Sequence, residues 1–208
     1  MRITGGIFRS RVLLAPRGRA TRPTSDRVRE ALFAILGSAS ASPHGSGAPR
    51  GLEGARVLDL YAGTGALGLE ALSRGAAHAT FVESGRDALG ALRRNVAALG
   101  VEGQVAIVAA DVATFVARVG DRAAAAPFDL VLADPPWALV DEGSAAPELA
   151  RLAASGAVRD GATVVLERSS RSARPSIDGL RHTDDRRYGD ATLAFYKTAI
   201  LAPPRGDI

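Results

Sequence analysis

The sequence predicts an α/β fold built on a seven-stranded, mostly parallel sheet with one antiparallel strand. Three observations lead to this prediction. From Ala55 onwards, short apolar segments alternate with segments of helical period, as in parallel sheets covered by helices on both faces. A glycine-rich turn joins the first such strand to the first such helix. Further along, a Tyr-Gly-Asp turn separates two strand-like segments, so these form a hairpin and one strand must run antiparallel to the rest.

The predicted strands are rich in β-branched and aliphatic residues, and helices follow most of them. Strands are expected at 55–60, 79–83, 104–109, 128–133 and 162–167, with hairpin strands at about 180–187 and 191–199. Helices are expected at 66–74, 86–99, 112–119 and 145–155. Ligands of open α/β sheets bind beyond the carboxyl ends of the strands. We therefore expect residues 59–65, Glu83, Asp111 and residues 134–137 to meet at one edge.

A separate segment precedes the sheet. Residues 1–15 are expected to form two short strands, and Thr24, Ser25 or Asp26 to cap a helix that runs to about Leu36. Residues 38–51 are small, polar and rich in glycine, which is typical of a flexible linker. The predicted organisation is therefore an N-terminal extension at 1–37 with a small β-hairpin and a helix, a linker at 38–51, and the sheet domain at 52–208.

Composition excludes several classes of protein. With 208 residues, 47% hydrophobic and 23% charged, the chain has the balance of one globular domain. It contains neither an apolar run of about 18 residues nor an apolar segment behind its first arginines, so we expect no membrane span and no secretory signal. The expected location is the cytoplasm, and the expected state is a monomer. Cysteine is absent and the three histidines are scattered, which excludes disulfides and argues against a metal site.

Positive charge is concentrated at one end of the chain. Residues 1–30 contain eight arginines and two acidic residues, a net charge of +6, whereas the remainder contains 18 basic and 20 acidic residues, a net charge of −2. Codon bias explains the use of arginine over lysine but not this clustering, and such basic segments most often bind nucleic acid. The predicted contacts are Arg9, Arg11, Arg22, Arg27 and Arg29. The alternative is that Arg22 and Arg29 brace the segment against the sheet.

The glycine-rich turn at residues 59–68 contains G-x-G-x-x-G, and Glu83 follows the second predicted strand. This motif fits either a dinucleotide or S-adenosylmethionine. Asp59 favours S-adenosylmethionine over a dinucleotide. A carboxylate at the end of the strand that leads into this turn repels a pyrophosphate but attracts the ammonium and sulfonium groups of S-adenosylmethionine. We expect Glu83 to hold ribose hydroxyls, and Asp111 to accept from the adenine amino group, to cap the next helix, or both. The predicted cofactor contacts are Asp59, Tyr61, Ala62, Gly63, Thr64, Gly65, Leu67, Gly68, Glu83 and Asp111.

The strand at 128–133 ends in Asp134-Pro135-Pro136-Trp137, which includes the only tryptophan of the chain. An exocyclic nitrogen of a nucleobase is a poor nucleophile because its lone pair is delocalised into the ring. The Asp134 carboxylate and the Pro135 carbonyl can each accept one N–H of that nitrogen and direct its lone pair at a methyl group. The rigid prolines preorganise these acceptors, and Trp137 offers a face on which a base can stack, worth about 1–3 kcal/mol. These four residues are the predicted catalytic corner, and no metal is required.

At these motifs the sequence resembles the bacterial 16S ribosomal RNA guanine-N2 methyltransferases, the RsmD family. The resemblance rests on Arg2-Ile-Thr-Gly-Gly6, Arg22-Pro-Thr-Ser-Asp-Arg-Val-Arg-Glu30, the segment from Ala62 to Gly75, Asp134-Pro-Pro and Arg187-Tyr-Gly-Asp190. It implies a Rossmann-like, class I S-adenosylmethionine-dependent methyltransferase fold. It also implies methylation of a guanine N2 in 16S ribosomal RNA, within a partly assembled small subunit, with the basic segment contacting RNA. The family usually has Phe or Tyr where Trp137 stands.

Three alternatives remain open from the sequence. A DNA adenine-N6 methyltransferase shares the Asp-Pro-Pro-aromatic corner but usually has an additional DNA-reading domain. A non-catalytic RNA-binding assembly factor would not need Asp59, Glu83 and Asp134 together. A protein methyltransferase that acts on an amide nitrogen typically has Asn at the position of Asp134.

Overall fold

The computed structural model describes residues 1–15, 25–38, 51–119 and 126–199. Seven strands form one sheet: β1 (Arg56–Leu60), β2 (His78–Glu83), β3 (Val105–Ala109), β4 (Phe128–Ala133), β5 (Val158–Ser169), β6 (Leu180–Tyr188) and β7 (Ala191–Thr198). Their order across the sheet is β3-β2-β1-β4-β5-β7-β6. The pairs among β1–β5 are parallel, and β7 runs antiparallel to both of its neighbours. The predicted seven-stranded α/β sheet with one antiparallel strand is confirmed.

Six α-helices and one short 3-10 helix (Glu102–Gln104) accompany the sheet in the described part of the chain. The α-helices are α1 (Asp26–Ser38), α2 (Ala66–Ser73), α3 (Arg86–Leu99), α4 (Val112–Arg118), α5 (Trp137–Asp141) and α6 (Ala145–Ala154). One apolar cluster joins α1, α2, α3 and the N-terminal segment to one face of the sheet. A second cluster joins α4, α5 and α6 to the opposite face. The sheet is therefore buried on both faces, which explains why its central strands are nearly continuous apolar runs.

Within the sheet domain, the predicted elements agree with the structure, apart from small shifts at their ends, except at the start of β5 and at α5. Strand β5 begins at Val158 instead of residue 162, because Val158 pairs with Phe128 across an irregular register. The start of β5 was not predicted because the residues that follow Val158 are polar or glycine and do not show a strand pattern. Helix α5 was not predicted at all. It directly follows Pro136, where the fixed φ of proline suits entry into a helix.

The N-terminal hairpin exists but is less regular than the two strands expected at 1–15. Its arms pair through a single antiparallel bridge, Arg2 with Val12, and through a hydrogen bond from Ile3 N to Arg11 O of 3.0 Å. Other backbone donors of this segment bind side chains of the sheet domain: Leu14 N donates to Asn95 Oδ1 at 2.8 Å. These long-range bonds replace the ladder that regular strands would form.

Helix α1 follows the predicted pattern. The Ser25 hydroxyl, one of the predicted caps, accepts from Val28 N at 3.3 Å. Asp26 is the first residue of the helix, and Thr24 lies outside the described residues. The helix ends at Ser38, two residues beyond the predicted end. Residues 39–50 lie outside the described residues, so the linker and the division of the chain at 1–37, 38–51 and 52–208 stay predictions. Within the described ranges, the helices are too short or too polar to cross a membrane.

Candidate active site

The carboxyl ends of β1, β2 and β4 lie side by side. Leu60 of β1 pairs with Val82 of β2 on one side and with Ala133 of β4 on the other. Residues that follow these positions therefore meet at one edge, with Ala62 N donating to Val82 O at 3.0 Å. The glycine-rich turn, Glu83 and the Asp134 corner are brought together as the topology predicts, and Asp111 follows β3 at the same edge.

The three glycines of the motif have different roles. A Cβ at Gly63 (φ +57°) would have no nearer neighbour than the Tyr61 carbonyl oxygen at 4.0 Å, so the space beside this residue is open. A Cβ at Gly65 would lie 2.3 Å from Leu92 Cδ1, and one at Gly68 2.3 Å from the Phe81 ring. Gly65 and Gly68 thus allow α2 to pack closely, whereas Gly63 leaves room for a ligand to approach the backbone.

The other predicted cofactor contacts in this turn are mostly buried. Ala62, Thr64 and Leu67 each have less than a tenth of their surface exposed. The Thr64 carbonyl accepts from Asn95 Nδ2 at 3.0 Å, which ties the turn to α3. These residues offer a ligand their backbone and not their side chains.

Glu83 holds the glycine turn from the neighbouring strand. Its Oε2 accepts from Gly63 N at 2.7 Å, and its Oε1 accepts from Gly85 N at 2.6 Å. Each carboxylate oxygen has two lone pairs, so both oxygens keep capacity for a further donor. Glu83 can therefore accept two hydroxyl groups while it orders the turn, which is compatible with its predicted role.

Asp59 is almost completely buried, and its Oδ2 accepts from Gly68 N at 2.9 Å. Burial raises the pKa of Asp59 well above its usual value, the Gly68 N–H opposes this shift, and the carboxylates of Asp134 and Glu83 reinforce it. This carboxyl joins the end of β1 to the start of α2. Because only 1% of its surface is exposed, its predicted contact with a cofactor stays a prediction.

Replacing Asp59 by asparagine is expected to stabilise the ligand-free protein near neutral pH. A carboxyl whose pKa is raised in the folded state contributes stability below its unfolded pKa, and this is lost as pH rises through the folded pKa. The asparagine amide oxygen would keep an acceptor for Gly68 N without a buried charge. The difference in melting temperature, Asp59→Asn minus wild type, should grow as pH rises from about 4. A difference that is constant from pH 4 to 8 would contradict this expectation.

Asp111 caps α4, as one of its two predicted roles requires. Its Oδ1 accepts from Thr114 N at 2.7 Å, and this N–H lowers the pKa of the exposed carboxyl. Its contact with adenine stays a prediction.

The corner after β4 changes a strand into a helix across three residues, Asp134, Pro135 and Pro136. Asp134 follows the last strand residue and is partly buried, Pro135 is buried, and Pro136 is exposed at the start of α5. Trp137 is the first residue of α5 and is partly exposed. Leu139 N donates to Pro136 O at 2.9 Å, which closes the first turn. The two prolines thus keep Asp134 at the edge of the sheet with Trp137 close behind it in the chain.

Sequence reasoning identified Tyr61 but missed its partner, Glu148 of α6. Tyr61 has φ +58°, a left-handed conformation that costs a non-glycine residue about 1–3 kcal/mol and occurs often at functional sites. Its hydroxyl donates to Glu148 Oε2. No motif connects two residues this far apart in the chain, so only the fold reveals the pair.

The predicted role of Arg29 as an RNA contact is wrong. Its side chain is fully buried, and its guanidinium donates to Asp26 Oδ1 at 2.8 Å and to the Arg2 carbonyl, with Glu70 at 3.4 Å. A guanidinium without exposed surface cannot bind a phosphate, so the bracing alternative applies to Arg29.

Arg22 lies outside the described residues. Arg9, Arg11 and Arg27 are exposed, and the Arg11 guanidinium also donates to Ala98 O at 3.0 Å.

Arg29 belongs to a buried network around Glu70 of α2, which is also fully buried. Glu70 accepts from Thr4 N at 2.7 Å, Gly5 N at 2.8 Å, the Thr4 hydroxyl at 2.8 Å and Arg74 Nε at 2.8 Å. These contacts hold the Arg2-Ile-Thr-Gly-Gly6 segment on α2. A Cβ at Gly6 (φ +76°) would lie 1.8 Å from the Ser73 carbonyl oxygen, so this close approach requires glycine.

Within the described ranges, the acidic and histidine side chains form no cluster of three that could hold a metal ion.

A family model described as "Conserved hypothetical protein 95" matches residues 1–197. The chain belongs to this family. The RsmD-family membership predicted from the motifs is thereby confirmed. "Ribosomal RNA small subunit methyltransferase D" of Escherichia coli K12 is 39% identical over 137 residues, 66% of this chain and 60% of that protein. A "putative rRNA methyltransferase" of Bacillus subtilis is 39% identical over 99 residues, 48% of this chain and 47% of that protein. The matches thus span about half to three fifths of these relatives.

A solved structure of a "putative methyltransferase" from Escherichia coli superposes with a TM-score of 0.77 at 30% identity, covering 97% of this chain and 99% of that chain. A hypothetical protein of Thermus thermophilus superposes with a TM-score of 0.70 at 29% identity, covering 94% and 98%. The RsmD-family fold therefore extends over nearly the whole chain, including the N-terminal segment.

Proposed function

We propose that this protein transfers a methyl group from S-adenosylmethionine to the exocyclic N2 of a guanine in 16S ribosomal RNA, within a partly assembled small subunit. The observation that carries the proposal is the position of the Glu83-held glycine turn beside the Asp134-Pro135-Pro136-Trp137 corner. Further support comes from the relatives named as ribosomal RNA methyltransferases.

The residues at this edge fit S-adenosylmethionine. The cofactor is cationic and has a ribose diol, and the edge carries the carboxyl groups of Asp59 and Glu83, which interact electrostatically, beside the open space at Gly63. Glu83 would hold the ribose hydroxyls, and Asp111 would accept from the adenine amino group. When bound, the cofactor supplies an electrophilic methyl group on a sulfonium.

The chain itself would orient the acceptor nitrogen. The Asp134 carboxylate and the Pro135 carbonyl accept its two N–H groups, and Trp137 stacks on the base. After transfer the nitrogen is cationic and acidic, so it loses a proton readily to the Asp134 carboxylate or to water. Preorganised acceptors therefore account for the chemistry without a metal.

The direct test uses small subunits from a strain that lacks its own enzyme for this position. Wild-type protein and methyl-labelled S-adenosylmethionine should label one guanine at N2, located by mapping the labelled base. Label on adenine N6 of DNA would instead support a DNA adenine-N6 methyltransferase, and label on a protein amide nitrogen would support a protein methyltransferase. An absence of label on naked 16S RNA, partly assembled and mature subunits alike, would overturn it.

The exposed arginines of the hairpin are expected to bind RNA phosphates. Arg9→Ala and Arg11→Ala should each weaken RNA binding and reduce the slope of log affinity against log salt by about 0.7–0.9, because each phosphate contact releases a counterion. Melting temperature and cofactor binding should not change. Arg186→Ala is the matched control, since Arg186 is an exposed arginine on β6, at the sheet edge opposite β3. If both hairpin variants keep wild-type salt slopes, the hairpin does not contact phosphates.

A further inference from the structure

The hydrogen bond between Tyr61 and Glu148 joins two parts of the candidate site that are far apart in the chain. Tyr61 directly follows β1 and precedes the Ala62-Gly63 turn, where the cofactor is proposed to bind. Glu148 lies in α6, the second helix after the Asp-Pro-Pro-Trp corner, where the base is proposed to bind. The Tyr61 hydroxyl donates to Glu148 Oε2.

The Tyr61 end of this bond is tightly constrained. Its backbone has φ +58°, and its ring packs against the apolar cluster of α4, α5 and α6. Burial raises the pKa of Tyr61, and the adjacent Glu148 carboxylate raises it further, so the hydroxyl keeps its proton and stays a donor over the working pH range. A ligand that fixes the backbone at Gly63 acts two residues away from this anchored ring.

The Glu148 end is connected to Trp137 through a short, hydrogen-bonded turn. Gly143 N donates to Val140 O at 3.1 Å, and Ser144 N donates to Leu139 O at 2.9 Å, which join the end of α5 to the start of α6. Val140 of α5 and Leu149 of α6 are both buried in the same apolar cluster. Because α5 and α6 share this cluster and Trp137 is the first residue of α5, we expect a shift of α6 to move Trp137 as well.

We propose that Tyr61 and Glu148 are positioning residues whose hydrogen bond transmits cofactor occupancy of the glycine turn to Trp137 at the base pocket. The inference rests on the proposed function. Its physical basis is that a ligand changes a conformational equilibrium only through contacts that differ between the two states. The turn at Gly63 provides such a contact, and the Tyr61–Glu148 bond is a direct link from that turn to the α5–α6 pair.

Trp137 is the only tryptophan, so its fluorescence reports this movement without a label. S-adenosylhomocysteine, the demethylated product, would be titrated into wild type, Tyr61→Phe, Glu148→Ala and Glu148→Gln, with occupancy measured by calorimetry. At saturation, wild type and Glu148→Gln should show the same emission change, because a glutamine amide oxygen still accepts from Tyr61. Tyr61→Phe and Glu148→Ala should lose most of the change. Glu142→Ala, at an exposed residue between α5 and α6, is the control and should behave as wild type.

Single-turnover methylation provides the second measurement. At saturating cofactor, the rate should fall about tenfold in Tyr61→Phe and Glu148→Ala, the loss expected for one hydrogen bond, and should recover in Glu148→Gln, which restores an acceptor. A merely structural role would instead lower the melting temperature and cofactor affinity but leave the emission change of the bound fraction intact. That result, or a Glu148→Gln variant that behaves as Glu148→Ala, would overturn the inference. A wild-type protein that neither binds S-adenosylhomocysteine nor methylates RNA would overturn the proposed function itself.

Discussion

Replacing Asp134 by alanine is expected to reduce methyl transfer by about 100- to 1000-fold, the loss typical of removing one preorganised polar group from a transition state. Asp134 stands at the carboxyl end of β4, where it would accept an N–H of the target amine. Affinity for S-adenosylhomocysteine should stay within about threefold of wild type, since less than 1 kcal/mol of cofactor contact is expected to be lost. The measurements are single-turnover transfer to small subunits and calorimetry with the product.

Stability separates this catalytic effect from misfolding. The Asp134 carboxylate helps to raise the pKa of the buried Asp59, so its removal relieves a repulsion between like charges. The melting temperature of Asp134→Ala should therefore equal or exceed that of wild type near neutral pH. Asp134→Asn, which keeps one acceptor oxygen, should retain part of the activity. An alanine variant with near-normal turnover would remove Asp134 from the mechanism.

Replacing Glu70 by alanine is expected to destabilise the protein by about 3–5 kcal/mol, because the buried Arg29 guanidinium loses its buried carboxylate partner and keeps Asp26, whose side chain is 45% exposed. The N–H groups of Thr4 and Gly5 also lose their acceptor. Since these bonds attach the N-terminal segment to α2, the segment should detach before the sheet unfolds. Urea denaturation followed by circular dichroism gives the loss of stability, and hydrogen exchange at residues 3–5 reports the detachment.

Three further variants test whether the loss comes from an unpaired charge. Glu70→Leu combined with Arg29→Met removes both charges and should be more stable than Glu70→Leu alone, because a buried ion pair can be replaced by apolar side chains at little cost. Arg74→Ala is the matched control, since Arg74 binds the same carboxylate but is 22% exposed, and it should cost about 1 kcal/mol or less. A Glu70→Ala protein as stable as Arg74→Ala would show that the network contributes little to folding.

Local pattern was sufficient to predict most of the fold and the composition of the candidate site. Alternating apolar strands and helices predicted the sheet, because the central strands are buried on both faces and are therefore made of nearly continuous apolar residues. The rule that parallel strands bind ligands at their carboxyl ends then placed Glu83 and the Asp134 corner together. The glycine motif was equally visible, although the sequence could not distinguish Gly63, which leaves open space, from Gly65 and Gly68, which allow helix packing.

The roles of charged groups were decided by tertiary structure. Arg29 was expected to bind RNA because the sequence shows its charge but not its burial or its position beside Glu70. The Tyr61–Glu148 bond was likewise invisible, because its partners are distant in the chain and neither belongs to a periodic pattern that predicts the other. Hydrophobic periodicity is a local property that one segment carries alone. The exposure and the partners of a charged side chain depend on residues that are distant in the sequence. Some of these residues exclude water from the charged group and others form hydrogen bonds with it, and only the folded chain brings them together.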